Sequence, residues 1–292
     1  MYIATLIAAP GALEPALVEN LRNAWGGGDA IWLAPDEAAE FSLPQDPGNR
    51  WDVWDELQKM GVDLVVQPVE GRRKKMLLAD MDSTMIEQEC IDELAEVAGV
   101  GAHVREITAR AMNGELDFEG ALLERVALLK GLDEAVIGEV LRTRISYMPG
   151  GATLVATMRA QGAYCALVSG GFTAFTEAVA AQLGFDEHRA NTLLAEGGTL
   201  VGDVARPILG RAAKVQALEE ISTHLGISEA DVIAVGDGAN DLGMLGRAGA
   251  GVALHAKPSV AADCDIRINH GDLTALLYVQ GYSREEFQSP AS

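Results

Sequence analysis

Positive charge is scarce in this chain: 22 lysines and arginines stand against 43 aspartates and glutamates in 292 residues, a formal charge of −21. So acidic a surface repels nucleic acid and anionic membranes, and neither is expected as a partner. An anionic substrate is not excluded, because screening acts over roughly 8 Å at physiological salt and a local cation governs a site more than net charge does. Cysteine is sparse too. Cys90, Cys165 and Cys264 are odd in number and far apart, with no C-x-x-C, which excludes a disulfide framework and a zinc knuckle. No apolar run reaches about 18 residues, so no segment is expected to span a membrane. The opening MYIATLIAAPGALEP has no Lys or Arg ahead of its apolar part and reads as a buried strand rather than a signal peptide. A Walker A loop, an EF-hand loop, internal repeats and low-complexity segments are all missing. With 49% apolar and 22% charged residues the chain can bury a core, and a cytoplasmic globular protein is expected.

Residues 1–72 read as a separate α+β unit: strand YIATLIAA, helix GALEPALVENLRNAWGG, strand AIWLAP, a polar loop with Pro44 and Pro47, helix RWDVWDELQKMG and strand VDLVVQPV. The basic run GRRKK, Gly71 to Lys75, reads as a solvated linker. After it, MLLAD is a short apolar strand, and residues 88–147 carry four amphipathic helical segments separated by Gly or Asp. From Pro149 onward helices and strands alternate, interrupted by a hairpin NTLLAEGGTLVGDV turning at Gly197–Gly198. That alternation predicts an α/β fold, a parallel sheet with helices on both faces and ligands beyond the carboxyl ends of its strands.

Several of those strand ends carry polar groups. Asp80 and Asp82 follow the apolar MLLA directly. One of them could cap a helix, but two like charges about 4 Å apart repel by roughly 4 kcal/mol at an effective dielectric near 20. A cation must compensate, or one carboxyl must hold a proton. In VIAVGDGANDLGML, Asp237 ends a second apolar strand, with Asn240 and Asp241 beyond a Gly238 hinge. Carboxylates from two neighbouring strand ends make the hard, oxygen-rich environment that Mg²⁺ prefers. Ser169, Gly170 and Gly171 end a third strand, where backbone N–H groups can cradle an anion. Lys214, in GRAAKVQAL, either enters an enclosed site or snorkels at the surface.

Together these stretches resemble the haloacid dehalogenase superfamily. DMDST is similar to its D-x-D-x-T motif, Ser169 to its second motif, Lys214 to its third and GDGAND to its fourth. The likeness continues through MIEQECIDELA, MNGELDFEGALLERVALLKGL and MPGG into the branch that acts on O-phosphoserine. It implies a Rossmann-like core over residues 73–292 with a helical cap at about 88–147. Residues 1–72 resemble the small ACT-like regulatory sandwich of some relatives. The resemblance further implies Asp80 as nucleophile, Asp82 as general acid and base, and Mg²⁺ on Asp80, the Asp82 carbonyl and Asp237, with Asp241 ordering a metal water or Lys214. Ser169, Gly170, Gly171, Lys214 and Asn240 would receive the phosphate. In the cap, Glu89 would meet the substrate ammonium and Arg125 its carboxylate, with Met112 and Phe118 closing over the carbons. The implied activity is Mg²⁺-dependent release of L-serine, the last step of serine biosynthesis. A phosphatase or phosphotransferase for another small phosphorylated metabolite stays open, as does a binding module built on a degenerate scaffold. Whether the chain forms a homodimer is open as well.

Overall fold

The computed structural model describes residues 1–112 and 115–289, with Met112 described by its backbone alone. Two sheets organise the chain. In the first, β1 (Tyr2–Ala8), α1 (Pro15–Trp25), β2 (Ile31–Ala34), β3 (Ala38–Leu43), α2 (Arg50–Gln58) and β4 (Val62–Pro68) form a βαββαβ unit. Its strands are antiparallel in the order β2-β3-β1-β4. Strand β3 corrects the sequence reading, which placed these residues in a loop. AAEFSL offers two small alanines and a glutamate, and Glu40 is only 7% exposed. Its charge is met by Arg72 at 2.9 Å.

Both faces of this sheet are buried. Leu6, Phe41, Leu64 and Val66 pack under α1 and α2 with Val18, Leu21 and Leu57. Ile7, Leu33, Ala38 and Val65 on the other face belong to the main core of the remaining chain. The basic run is accordingly a strap rather than a solvated linker. Arg72 pairs with Glu40, Arg73 with Glu286 and Lys75 with Asp231, while the Lys74 ammonium donates to the Ala230 carbonyl.

The second sheet begins with β5 (Met76–Ala79). There follow α3 (Cys90–Val97), α4 (Gly101–Met112), α5 (Phe118–Ala127) and α6 (Ala135–Thr143), then α7 (Gly151–Ala160), β6 (Tyr164–Phe172), α8 (Thr173–Leu183) and β7 (Glu187–Asn191). The hairpin β8 (Leu193–Glu196) and β9 (Thr199–Val204) leads to α9 (Arg211–Leu225), β10 (Val232–Gly236), α10 (Leu242–Arg247), β11 (Ala250–Leu254), α11 (Pro258–Ala261), β12 (Ile266–Ile268) and α12 (Ala275–Val279). The strand order is β12-β11-β10-β5-β6-β7, and every pairing is parallel. Strands β5 and β10 lie at the centre and are wholly buried, as continuous apolar runs should be when helices cover both faces. Leu154, Val155 and Phe175 cover one face, Leu218, Ile221 and Met244 the other.

Helices α3 to α6 stand over the carboxyl ends of the strands as an insert between β5 and α7. The hairpin ties this insert down. Gly197 and Gly198 both take positive φ, 58° and 80°, as a two-residue hairpin turn demands. Beyond the turn, Gly131 N donates to Leu200 O (2.9 Å), Leu200 N to Leu132 O (2.8 Å) and Glu134 N to Gly198 O (2.8 Å). Among the described residues no helix is long and apolar enough to cross a membrane.

One buried carboxylate fastens the first sheet to the second. Asp63, fully buried in β4, accepts from the backbone N–H groups of Asn269 (2.9 Å), His270 (3.0 Å) and Gly271 (2.8 Å). Removing it takes the acceptor from three backbone donors, one buried at Gly271 and two part-buried, and an unsatisfied donor costs about 1–3 kcal/mol where water does not reach it. Asp63→Ala is therefore expected to lose about 3 kcal/mol or more in urea denaturation, and Asp63→Asn, which keeps one acceptor, less. Trp25, Trp32, Trp51 and Trp54 all lie in the first unit, so their fluorescence reports its release directly.

Candidate active site

At the end of β5 the chain keeps its register for one more residue, with Asp80 N donating to Val235 O at 3.0 Å. It then folds tightly under buried Met81, whose carbonyl accepts from Thr84, Met85 and Ile86 N at 2.9–3.2 Å. Ser83 takes a left-handed φ of 55°, local strain of the kind found beside reacting groups. The turn points both aspartates the same way. Asp80 Oδ1 accepts from Met81 N (2.8 Å) and lies 2.6 Å from Lys214 Nζ. Asp82 Oδ1 accepts from Cys90 N (2.8 Å) and its Oδ2 from the Ser169 hydroxyl (3.1 Å).

Neighbouring strand β10 delivers the second acidic group. Thr84 Oγ1 donates to Asp237 Oδ1 at 3.3 Å. Asp241 is fully buried, taking Lys214 Nζ on Oδ1 (2.5 Å) and Gly238 N on Oδ2 (3.0 Å). A Cβ on Gly236 would stand 2.4 Å from the Asp241 carboxyl carbon, so no other residue fits there. Strand β6 supplies the third group on its other side. Gly171 N donates to Ser169 Oγ at 2.8 Å, and a Cβ on Gly171 would meet Asp82 Oδ2 at 2.7 Å. Gly170 is pressed equally close, with Phe118 of the insert 2.9 Å from where its Cβ would be.

Charge in this cluster is unbalanced. Lys214 is 2% exposed; burial alone would pull its pKa down, but Asp80 and Asp241 outweigh burial and hold it charged, above its ordinary value. One ammonium does not satisfy the acids around it. Burial pushes the Asp80 carboxyl well above the usual carboxylate range against the pull of Lys214, and Asp241 and Asp82 push the same way. Asp237 is raised as well, by burial and then by Asp241.

Above the aspartates a cavity of about 690 Å³ opens toward the insert. Asp80, Asp82, Ser169, Gly170, Gly171, Asp237 and Asn240 form its floor, and Glu89, Phe118 and Arg125 line it from the insert. Glu89 accepts from Ser83 Oγ at 2.9 Å, and burial followed by the Asp82 charge raises its pKa to about 7. Arg125 donates Nε to its own helix at Ala121 O (3.2 Å), and no ion pair within the described residues engages it. Burial lowers its pKa, opposed by Asp92 and Glu89.

The family model for haloacid dehalogenase-like hydrolases matches residues 77–246, a span running from β5 through α10. The chain belongs to that family. Within these hydrolases it is 42% identical over 236 residues to a phosphoserine phosphatase of Streptomyces coelicolor, covering 80% of this chain and 57% of that protein. The chain spans less than two thirds of the length of several such curated relatives. A solved HAD family hydrolase from Salmonella enterica serovar Typhi superposes with a TM-score of 0.86 at 30% identity, over 96% of this chain and 98% of that one. A solved phosphoserine phosphatase carrying an analogue of the phospho-aspartyl intermediate superposes with a TM-score of 0.66 at 40% identity, over 70% and 98%.

In this haloacid dehalogenase-like hydrolase the residues singled out in the sequence line one cavity, apart from Lys214 and Asp241, which are buried behind Asp80, and Met112, whose side chain lies outside the described residues. Lys214 resolves as enclosed, not snorkelling. Sequence reasoning missed Asn191. Its amide donates to the Gly170 carbonyl (2.8 Å) and the Leu209 carbonyl (3.1 Å) and accepts from Leu209 N (2.7 Å), clamping the Ser169–Gly171 segment against the chain entering α9. A lone Asn on the polar strand EHRAN carries no signal that would have found it. The donor set also suits a hard divalent cation. Oxygens of Asp80, Asp237 and Asp241 lie within 4.8 Å of one another, and Lys214, the ammonium paired with two of them, leaves the three short of positive charge.

Proposed function

We propose that the protein hydrolyses O-phospho-L-serine to L-serine and phosphate through an aspartyl-phosphate on Asp80, with Mg²⁺ as cofactor, as the last step of serine formation in the cytoplasm. On this reading residues 73–292 are the catalytic unit with its cap at about 88–147, and residues 1–72 an ACT-like unit docked on it. One observation carries it. A cavity that presents paired aspartates against a buried lysine also presents a carboxylate, Glu89, and a guanidinium, Arg125, with no ion-pair partner among the described residues. Those are complements for the ammonium and carboxylate of a phosphorylated amino acid. The 42% identity to a phosphoserine phosphatase supports the same reading.

The substrate phosphate takes the Ser169 hydroxyl, the Gly170 amide and Lys214 as donors, which stabilise the charge spread over its oxygens in the transition state. Asp80 attacks phosphorus with Oδ2, the oxygen left open because Met81 N and Lys214 hold Oδ1. The phosphorus–oxygen bond to serine breaks, its electron pair goes to the serine oxygen, and Asp82 delivers the proton. When Ser169 turns its hydroxyl to the phosphate, Asp82 Oδ2 is released from that hydrogen bond to face the leaving oxygen. Asp82 then takes a proton from water, whose oxygen attacks phosphorus, and the bond to Asp80 breaks to free phosphate and restore the carboxylate. Asp80, Asp237 and the Asp82 carbonyl would hold a divalent cation, which would supply the missing positive charge beside the phosphoryl group. The cap excludes bulk water from the intermediate.

The test is phosphate release over a panel of phosphorylated metabolites, with and without EDTA. O-phosphoserine is expected to be turned over fastest, and EDTA to abolish the reaction. Hydrolysis of phosphoserine no better than of phosphoglycolate sinks the substrate assignment. Within the panel, Arg125→Ala is expected to cut kcat/KM for phosphoserine by roughly 100-fold while leaving p-nitrophenyl phosphate within about threefold. Glu89 adds a pH dependence. Only its ionised form attracts an ammonium, and that form is lost as pH falls below about 7. KM for phosphoserine is thus expected to rise about tenfold more between about pH 8 and pH 6 than it does in Glu89→Gln or than KM for phosphoglycolate does, both of which keep only the titration of the substrate phosphate.

A further inference from the structure

Two cations on the cavity wall have no part in the chemistry above. Arg211, the first residue of α9, and Lys257, just ahead of α11, both line the cavity and both are exposed. Neither has an ion-pair partner among the described residues. In a chain with 43 acids and 22 lysines and arginines a cation finds a carboxylate easily. Arg189 reaches Glu187 and Glu220, and Arg247 reaches Glu219 and Glu229. Arg211 is moreover placed where the macrodipole of a 15-residue helix opposes a positive charge. Lys257 is near enough to Asp237 to be among the charges that pull its pKa down. Two cations without ion-pair partners among the described residues, one opening α9 and the other just ahead of α11, thus face the same cavity of a strongly acidic protein.

We propose that Arg211 and Lys257 form a cationic collar that captures the dianionic phosphate of the incoming substrate and hands it to Lys214 and Ser169. The proposal rests on the cavity being a phosphomonoester site. Its physical need follows from net charge. At −21 the protein repels a dianion at long range, and inside the cavity Asp82, Glu89 and Asp237 add to that repulsion. A local pair of cations reverses the field over the last Debye length, roughly 8 Å at physiological salt. Because the collar binds the anion before chemistry, it acts on kcat/KM and its salt dependence more than on kcat.

The experiment compares the wild-type holoenzyme with R211Q/K257Q and with K130Q/R142Q, which removes the same formal charge from residues that do not line the cavity. kcat and KM for O-phosphoserine are measured from about 20 mM to about 500 mM ionic strength. R211Q/K257Q is expected to lose about tenfold in kcat/KM at the lowest salt, keep kcat within about twofold, and converge with wild type at the highest salt. K130Q/R142Q is expected to follow wild type throughout. The collar is overturned if R211Q/K257Q keeps the wild-type salt slope, or if both double variants fall alike. A wild-type protein inactive on every phosphomonoester removes the underlying reading, and the collar with it. Wild-type activity with an unchanged slope in the variant removes the collar alone.

Discussion

Asp80→Asn is expected to abolish turnover, by a factor on the order of 10⁵ or more, without harming the fold. The side chains are nearly isosteric, and Asp80 is 5% exposed, so little repacking is required. What changes is chemistry: a neutral amide does not attack phosphorus, and no other carboxylate is aimed in its place, since Asp82 Oδ1 is held by Cys90 N and its Oδ2 would face the leaving oxygen. Stability should move the other way. The Asp80 pKa in the folded protein lies well above its ordinary value, chiefly through burial. A group shifted upward contributes stability below its unfolded pKa and loses that contribution as pH rises through the folded value. At any pH where the wild-type group is ionised, the amide removes a charge that burial disfavours, and Lys214 keeps its pair with Asp241. In EDTA the variant should therefore melt at or above the wild-type temperature, increasingly so as pH rises, the usual opposition between activity and stability at a reacting group. Phosphate release and thermal melts on one preparation check both halves. Residual kcat above about 1% of wild type in an otherwise folded variant would show that the nucleophile lies elsewhere.

How much of this was legible beforehand varied with the physics of each segment. The central strands were readable because strands buried on both faces are continuous apolar runs, and MLLA and VIAVG are buried throughout. Polar residues at the ends of such runs then stand out, which exposed Asp80, Asp82, Asp237 and Ser169. Strand β3 was hidden by two alanines and a glutamate whose charge is cancelled by Arg72, a residue 32 positions away. Strand β7, EHRAN, lies at the sheet edge and is held partly by the Arg189–Glu187 and Arg189–Glu220 pairs, so no apolar rhythm marks it. Asp63 did leave a trace, a lone acid inside the apolar VDLVV. Its meaning required knowing that three N–H groups some 206–208 residues later would point at it. Arg211 and Lys257 carried no signal, because the lack of an ion-pair partner among the described residues is visible only in three dimensions.

Lys214→Met is expected to remove both activity and much of the stability, and the pattern of rescue identifies the cause. In the folded protein one ammonium bridges Asp80 (2.6 Å) and Asp241 (2.5 Å), with Asp237 close by. Methionine keeps the length and apolar stem of lysine, so packing is largely retained while the charge is lost. Breaking a buried pair by deleting one partner costs about 3–5 kcal/mol, because the remaining charge has neither water nor counterion. The deficit should deepen as pH rises. Without the ammonium Asp80 and Asp237, whose carboxyls burial already raises, hold their protons more tightly in the folded state, and that proton-linked stability is lost as pH climbs through their raised pKa values. Chemical denaturation is thus expected to show a larger difference from wild type at about pH 8 than at about pH 5. Adding Asp241→Asn removes one of the orphaned charges and should recover about half of the lost stability. It should recover none of the activity, since no group then offsets the charge developing on the phosphoryl oxygens, a loss on the order of 10³ in kcat or more. A shape defect would behave differently: Asp241→Asn would then worsen Lys214→Met or leave it unchanged, and the pH dependence would match that of wild type.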